Sequence, residues 1–347
     1  MFKVLTLNNI AVEGLRRLPR ERYEVASEIA HPDAILLRSH NMHDMDIPDT
    51  VAAVGRAGAG TNNIPCDMLA HCGVPVFNAP GANANAVKEL MIAGMLLGAR
   101  NLCDARDYVK TLKGTGDELK KAVESGKKQF VGFELPGKTL GVIGLGAIGV
   151  EVANAALDLG MKVVGFDPAI TVRNAWQLSS GVEQEETLDE LFQRADFVTC
   201  HVPLIDATRK MVNADRIALM NDDAVLINFA RGGIVDDAAA LAALDSGKLH
   251  AYVTDFPTPE LIAHPKVIAL PHLGASTGEA ESNCAIMVAE NVKDYLENGN
   301  IRFSVNFPEA RLPRLDAWRI TVANANVPNM VGQISTCLAD AGLNIED

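Results

Sequence analysis

The chain of 347 residues has no basic run: Lys and Arg number 31 against 44 Asp and Glu, leaving a net charge of -13. Neither a nucleic-acid-binding surface nor an anchor to anionic membrane is expected from such a balance. No uninterrupted apolar stretch reaches the about 18 residues of a spanning helix. The opening MFKVLTLNNI reads as a short buried strand, without the charged, apolar and small-residue zones of a secretion signal. The expected compartment is therefore the cytoplasm. There is no CxxC pair. The cysteines at 66, 72, 103, 200, 284 and 337 are scattered, so neither a disulfide framework nor a zinc site is indicated, and buried thiols are expected. Internal repeats and low-complexity tracts are also lacking. What is present is ordinary globular composition, 48% hydrophobic and 22% charged, in a chain long enough for two or three domains.

Short apolar runs alternate with longer helical patterns, the signature of a parallel sheet covered by helices, and the fold class is α/β. The expected strands are Lys3 to Leu7, Ala34 to Leu37, Ala52 to Val54, Val74 to Phe77, Thr139 to Ile143, Lys162 to Phe166, Phe197 to Cys200, Ala224 to Asn228, His250 to Asp255 and Val267 to Leu270. Helical patterns cover Ala84 to Arg100, apolar on most faces and hence buried, and Thr277 to Asn298, closed by Gly299. The polar, Lys-rich stretch from Leu102 to Phe133 reads as a surface excursion. Beyond Val305, FPEARLPR has the prolines and mixed charge of a linker. The remainder reads as a strand (WRITVAN), a turn, a helix (MVGQISTCLADA) and the opening of another strand (GLNIED). It is shorter than the roughly 40 residues that usually fold alone, and so resembles the first half of a small domain.

Three clusters carry chemistry. GLGAIG at 144–149 follows a strand and opens a helix: Gly144 permits the tight turn, Gly146 lets a pyrophosphate approach the backbone, and Gly149 lets helix and strand pack closely. Asp167 stands 18 residues after Gly149 at the next strand end, where a carboxylate binds a ribose 2′-hydroxyl and repels a 2′-phosphate. In the second cluster, Arg231 follows a strand and precedes Gly232 and Gly233; its guanidinium can take a carboxylate bidentately or form a surface ion pair. The third joins Asp255 and Glu260 to His272, a set that can make a proton-transfer pair if the chain brings imidazole and carboxylate together. Two patterns are set aside. GASTG at 274–278 fits a nucleophile elbow, but no histidine follows His272 to serve the serine. The cluster His40, His43, Asp44 and Asp46 lacks a second ligand group at matching spacing and reads as a solvated loop, so no metal is expected.

In their order, GKTLGVIGLGAIG with FDP, HVPL with Thr208, INFARGGIVD, Asp255 with Glu260 five residues on, and PHLGAST, these segments resemble the NAD-dependent D-isomer-specific 2-hydroxyacid dehydrogenases. VGRAGAGTNNIP and NAPGANANAVKEL are similar to the branch of that family acting on phosphoglycerate, and the resemblance covers residues 1–305. It implies two Rossmann-like doubly wound domains: a discontinuous substrate domain at 1–95 and 276–305, and an NAD-binding domain at 96–275. A linker at 306–316 would follow, then, at 317–347, the start of a ferredoxin-like ACT domain, with Asn326 and Asn344 at positions that bind a serine effector in relatives.

The resemblance further implies that Arg231 holds a substrate carboxylate, that His272 takes the C2-hydroxyl proton, and that Glu260 orients His272. NAD would be held by Gly144, Gly146, Ala147, Ile148, Gly149, Asp167, Pro203, Thr208, Phe229, Ala230, Arg231, Asp255, His272, Gly274 and Ala275. Arg38, Ser39, Arg56 and Asn62 would take the substrate phosphate, since a dianion needs cationic and hydroxyl donors. The implied reaction is oxidation of D-3-phosphoglycerate to 3-phosphohydroxypyruvate, the first step of L-serine biosynthesis, in a homodimer or homotetramer. The alternatives are a reductase of hydroxypyruvate or glyoxylate, and a non-catalytic NAD(H)-sensing protein. The sequence departs from the family pattern where Pro259 precedes Glu260 and Leu261 follows it, and where only 11 residues separate Glu260 from His272.

Overall fold

The computed structural model describes residues 1–315 and 318–345, so Asp316 at the end of the expected linker, and Ala317, Glu346 and Asp347 at the ends of the expected ACT segment, lie outside the described residues. Contacts divide the chain into two units, Met1–Ala79 with Cys284–Asp347, and Pro80–Asn283. Each is built on one parallel sheet.

In the first unit the strands are β1 (Phe2–Leu7), β2 (Tyr23–Ala26), β3 (Ala34–Leu37), β4 (Ala53–Arg56) and β5 (Val76–Phe77), ordered β2-β1-β3-β4-β5. β3 is buried along its whole length, as a central parallel strand must be, and Leu5, Ile35, Leu37, Val54 and Val76 share one core with Ile64 and Leu69. On the opposite face, helix Gly278–Asn298 contributes Val288 and Val292. It lies so close to β4 that a Cβ on Gly55 would stand 2.8 Å from both of those side chains. The Tyr23 hydroxyl donates to Glu297 at 2.7 Å and ties the far end of this helix to β2.

The second unit contains β6 (Thr139–Ile143), β7 (Lys162–Phe166), β8 (Val182–Gln184), β9 (Phe197–Cys200), β10 (Ala224–Asn228), β11 (Leu249–Thr254) and β12 (Val267–Ala269), ordered β12-β11-β10-β9-β6-β7-β8. Alternation along β10 sorts the two cores: Leu226 packs with Leu191, Phe192 and Tyr252, while Val225 and Ile227 face Met91, Met95 and Ala99 of helix Ala84–Arg100. That helix approaches closely because it carries glycines. A Cβ on Gly94 would meet the Phe229 ring at 2.8 Å, and one on Gly98 would meet Val225 at 3.0 Å.

β2 and β8 escaped the sequence reading because they are short, polar edge strands. The Leu102 to Phe133 excursion contains helices Leu102–Thr111 and Gly116–Gly126 and a 3-10 turn at Lys127–Phe130. The unit boundaries fall before Pro80 and after Asn283, where the sequence had suggested 95 and 275, because helix Ala84–Arg100 packs on β10 and β11. In the tail, helix Met330–Asp340 forms, but the expected strands over 318–324 and 342–345 do not. A strand needs a hydrogen-bonded neighbour; Arg319 instead donates to the carbonyls of Leu312 and Pro313 at 2.9 Å. Of the cysteines only Cys200 and Cys284 are buried, and Cys72 and Cys337 are exposed, correcting the expectation of buried thiols. Among the described residues no helix is long and apolar enough to cross a membrane.

Gly55→Ala is expected to destabilise the first unit by about 1–3 kcal/mol, the usual cost of overpacking a filled interface. A urea midpoint no lower than that of the parent protein would contradict the packing described for β4.

Candidate active site

All seven strands of the second unit are parallel, so their C-terminal ends form one edge, and every nucleotide-site residue expected from the sequence in this unit follows one of these ends. The order reverses between β6 and β9, and in such sheets ligands bind beside that switch point.

The glycine loop stands there. Gly144 has φ +91°, a conformation that favours glycine, and a Cβ on it would lie 2.7 Å from the His201 carbonyl oxygen. A Cβ on Gly149 would lie 1.9 Å from the Gly144 oxygen, so only glycine lets helix Ala147–Asp158 start this close to β6. Gly146, the N-cap, has open space where a Cβ would go and no side chain capping the helix. Free amides facing open space suit a pyrophosphate. The Asp167 carboxylate reaches back across the loop, Oδ2 accepting from the Leu145 amide and Oδ1 from the Ala169 amide, both at 2.8 Å. The residues present thus fit a dinucleotide.

Past β9, the Thr208 hydroxyl donates to the Pro203 carbonyl at 2.6 Å and accepts from the Ile205 amide at 2.9 Å, closing the loop that carries both. His201 contacts the Thr199 hydroxyl through Nε2 at 3.1 Å, and its Nδ1 is buried without a partner among the described residues. Burial pushes the His201 imidazole down to about 4, so it is neutral at physiological pH.

Past β10, buried Asn228 organises the turn that presents Arg231: its Nδ2 donates to the Arg231 carbonyl at 2.9 Å and its Oδ1 accepts from the Ala230 amide at 3.2 Å. Arg231 Nη1 donates to the Ala230 carbonyl at 2.7 Å. The Thr254 hydroxyl donates to the Asn228 carbonyl at 3.1 Å and joins this turn to the end of β11. Asn228 and Thr254 were not singled out in the sequence. Their signal was a polar residue closing an otherwise apolar strand.

Asp255 follows β11, and its Oδ2 accepts the amides of Leu273 at 3.1 Å and Gly274 at 3.3 Å. His272 is exposed, and its ring lies 4.7 Å from that of Phe256. Burial raises the Asp255 carboxyl above its ordinary range, while the neighbouring His272 and the loop amides pull the other way. Glu260 is exposed on helix Pro259–Ala263, and no hydrogen bond or ion pair among the described residues joins it to His272. Asp237 is the group that feels Glu260: its carboxyl is raised by burial, then by Asp236 and Glu260. Arg38, Ser39 and Arg56 stand in the first unit at the ends of β3 and β4. Arg56 Nε donates to the Arg38 carbonyl at 3.1 Å, and the Asn62 carbonyl in the next loop meets His43 Nε2 at 3.0 Å.

Residues 92–274 match the family described as D-isomer specific 2-hydroxyacid dehydrogenase, NAD binding domain. The chain belongs to the D-isomer specific 2-hydroxyacid dehydrogenase family. A D-3-phosphoglycerate dehydrogenase of Methanocaldococcus jannaschii is 36% identical over 92% of this chain and 60% of its own length, and a hydroxypyruvate reductase of Thermotoga maritima is 37% identical over 78% and 87%. The chain thus spans about three-fifths of the first of these relatives. Among solved structures, the NAD+-bound 3-phosphoglycerate dehydrogenase of Entamoeba histolytica superposes with a TM-score of 0.68 and 26% identity, over 88% of this chain and 99% of that one. The glycine loop and the strand-end residues of the second unit therefore belong to the NAD-binding domain of this dehydrogenase family.

Asp255 is held above its ordinary value in the fold, so its ionisation costs native stability once the pH exceeds the unfolded carboxyl range, and the full cost is reached above the folded value. Asp255→Asn is expected to melt higher than the parent at neutral pH, with the gap closing as the pH falls and the parent carboxyl takes up its proton. A gap independent of pH would contradict this origin.

Proposed function

We propose that the protein oxidises D-3-phosphoglycerate to 3-phosphohydroxypyruvate with NAD. The reading is carried by the placement of Arg231 and His272 after two strands, β10 and β12, of the same parallel edge that carries the glycine loop after β6. The relatives named D-3-phosphoglycerate dehydrogenase support the substrate, at 34–36% identity over 82–92% of the chain.

NAD, when bound, supplies the nicotinamide that accepts the hydride from C2 of the substrate. The remaining work falls to this chain. Gly144, Gly146 and Gly149, with Ala147 and Ile148, would hold the pyrophosphate, and Asp167 the adenosine ribose. Phe229, Ala230, Asp255, Gly274 and Ala275 would flank the nicotinamide, and Pro203 and Thr208 would line the approach from β9. Arg231 would take the substrate carboxylate through a forked pair of hydrogen bonds. His272 receives the C2-hydroxyl proton as the C2 carbonyl forms. Arg38, Ser39, Arg56 and Asn62 are the proposed holders of the phosphate, a pairing of guanidinium and dianion that a chain of net charge -13 needs locally to draw in an anion.

Hydroxypyruvate reduction is the second reading, favoured by the Thermotoga relative, which the chain covers over 87% of its length. Turnover on D-3-phosphoglycerate, phosphohydroxypyruvate, hydroxypyruvate and 2-oxoglutarate separates the two: the first reading requires activity that depends on the phosphate. NADH binding without any turnover would point to a sensor. Arg231→Ala is expected to lower kcat/KM about 10- to 100-fold, equivalent to roughly 1.5–3 kcal/mol for a charged hydrogen-bonding partner. His272→Ala is expected to lower kcat by about 10²–10⁴-fold. Wild-type turnover in either variant overturns its role. Asp167→Ala is expected to raise activity with NADP relative to NAD, because the carboxylate that repels a 2′-phosphate is gone; an unchanged cofactor ratio in steady-state kinetics contradicts that role.

A further inference from the structure

The first unit has a switch point of its own. All its strand pairs are parallel; β2 lies on one side of β1, while β3, β4 and β5 follow on the other, so the order reverses between β1 and β3. In open sheets of this order ligands bind in the crevice beyond that point. Two loops flank it here. Asn8 follows β1 with φ +70°, and its Oδ1 accepts the His40 amide at 2.6 Å. Arg38 and Ser39 form a bend directly after β3, and His40 comes next. From the loop after β4, Asn63 Nδ2 donates to the Arg38 carbonyl at 3.3 Å and to the His40 carbonyl at 2.7 Å, and Arg56 Nε gives the Arg38 carbonyl a second donor at 3.1 Å.

Asn63 is itself anchored: its backbone carbonyl accepts the amide of buried Met42 at 2.9 Å, and Ile64 beside it enters the core. Both hydrogens of its side-chain nitrogen go to carbonyls, while its Oδ1 is buried with no partner among the described residues. A reversed amide would set oxygen against oxygen, so these two bonds define its orientation. An anion is held by N–H and O–H groups and repelled by carbonyls. The four bonds take up the carbonyls of the residues on either side of Ser39 and one amide, that of His40; the amide and hydroxyl of exposed Ser39 take no part in them.

We propose that Asn8 and Asn63 are positioning residues for the substrate phosphate: they clamp the bend after β3 from its two sides, tying down its carbonyls and leaving the Ser39 donors for the anion. The inference rests on the reading of Arg38 and Ser39 as phosphate holders under Proposed function.

The test uses the full chain. Asn8→Gly, which suits φ +70°, and Asn63→Leu, close to isosteric, each remove a hydrogen-bond partner without adding charge. In both variants the KM for phosphohydroxypyruvate is expected to rise about three- to tenfold, the effect of losing one hydrogen bond, with kcat within about twofold and the KM for hydroxypyruvate unmoved. A merely structural loss shifts both substrates alike, and that outcome overturns the proposal. Ser39→Ala separates the two layers. If it leaves the KM for phosphohydroxypyruvate in place, the reading of the phosphate site fails and the inference with it; if it raises that KM while Asn8→Gly and Asn63→Leu do not, the reading stands and the positioning role fails. A measurement on the parent protein covers variants that do not fold or turn over. In 15N-labelled chain titrated with inorganic phosphate, the Ser39 amide resonance is expected to shift, and the His40 amide, already bonded to Asn8, is expected to be protected from deuterium exchange before phosphate is added. An unmoved Ser39 amide, or a His40 amide that exchanges freely, overturns the inference.

Discussion

Parallel pairing is the constraint on which the rest of the protein depends. Strands running the same way deliver their C-terminal ends to one edge, so residues from chain positions as far apart as Gly144 and His272 stand on that edge without any long loop to carry them. The cost is that parallel strands need crossover connections, most of them here helical, and the helices must pack on the sheet. Gly149 and Gly55 show what that demands: at both positions the helix sits so near its strand that a single methyl group has no place. The edge is precise because the layers behind it are rigid.

Charge is arranged on the same edge with the opposite logic. Buried polar groups there are mostly satisfied, as in the bonds from Asn228 to the turn of Arg231. His201 Nδ1 and Asp255 Oδ1 are left without partners among the described residues, and both lie on loops that follow the strand ends. A buried acceptor held unsatisfied opposes folding and gains a use only when a donor arrives. Asn63 Oδ1, Asn83 Oδ1 and Asn291 Nδ2 are likewise buried without a partner among the described residues, so such groups are not confined to the strand ends.

Much of this was legible in the residues. Central strands such as Thr139–Ile143 and Phe197–Cys200 were read to the residue because full burial on both faces leaves an unbroken apolar run. The glycine loop was legible because each glycine answers a separate steric demand. Edge strands β2 and β8 were not, since one side of an edge is wet and its sequence looks like a loop. The tail strands failed for a related reason: β propensity becomes a strand only against a neighbour, and propensity is all that a single segment displays. In the site, types were easier to read than pairings. Arg231 and His272 were visible, but that Asp255 would accept the two amides after His272 depends on the β11–β12 register, which periodicity does not encode.

The close approach of Gly94 to the Phe229 ring has a consequence for how such an enzyme changes over time. Phe229 begins the turn that Asn228 ties to Arg231, so the guanidinium inherits its position from a helix that carries none of the proposed site residues. Any larger residue at 94 pushes on that turn before it disturbs anything else. Selection for a new substrate therefore has a lever remote from the chemistry, and a library confined to the residues lining the site would never pull it.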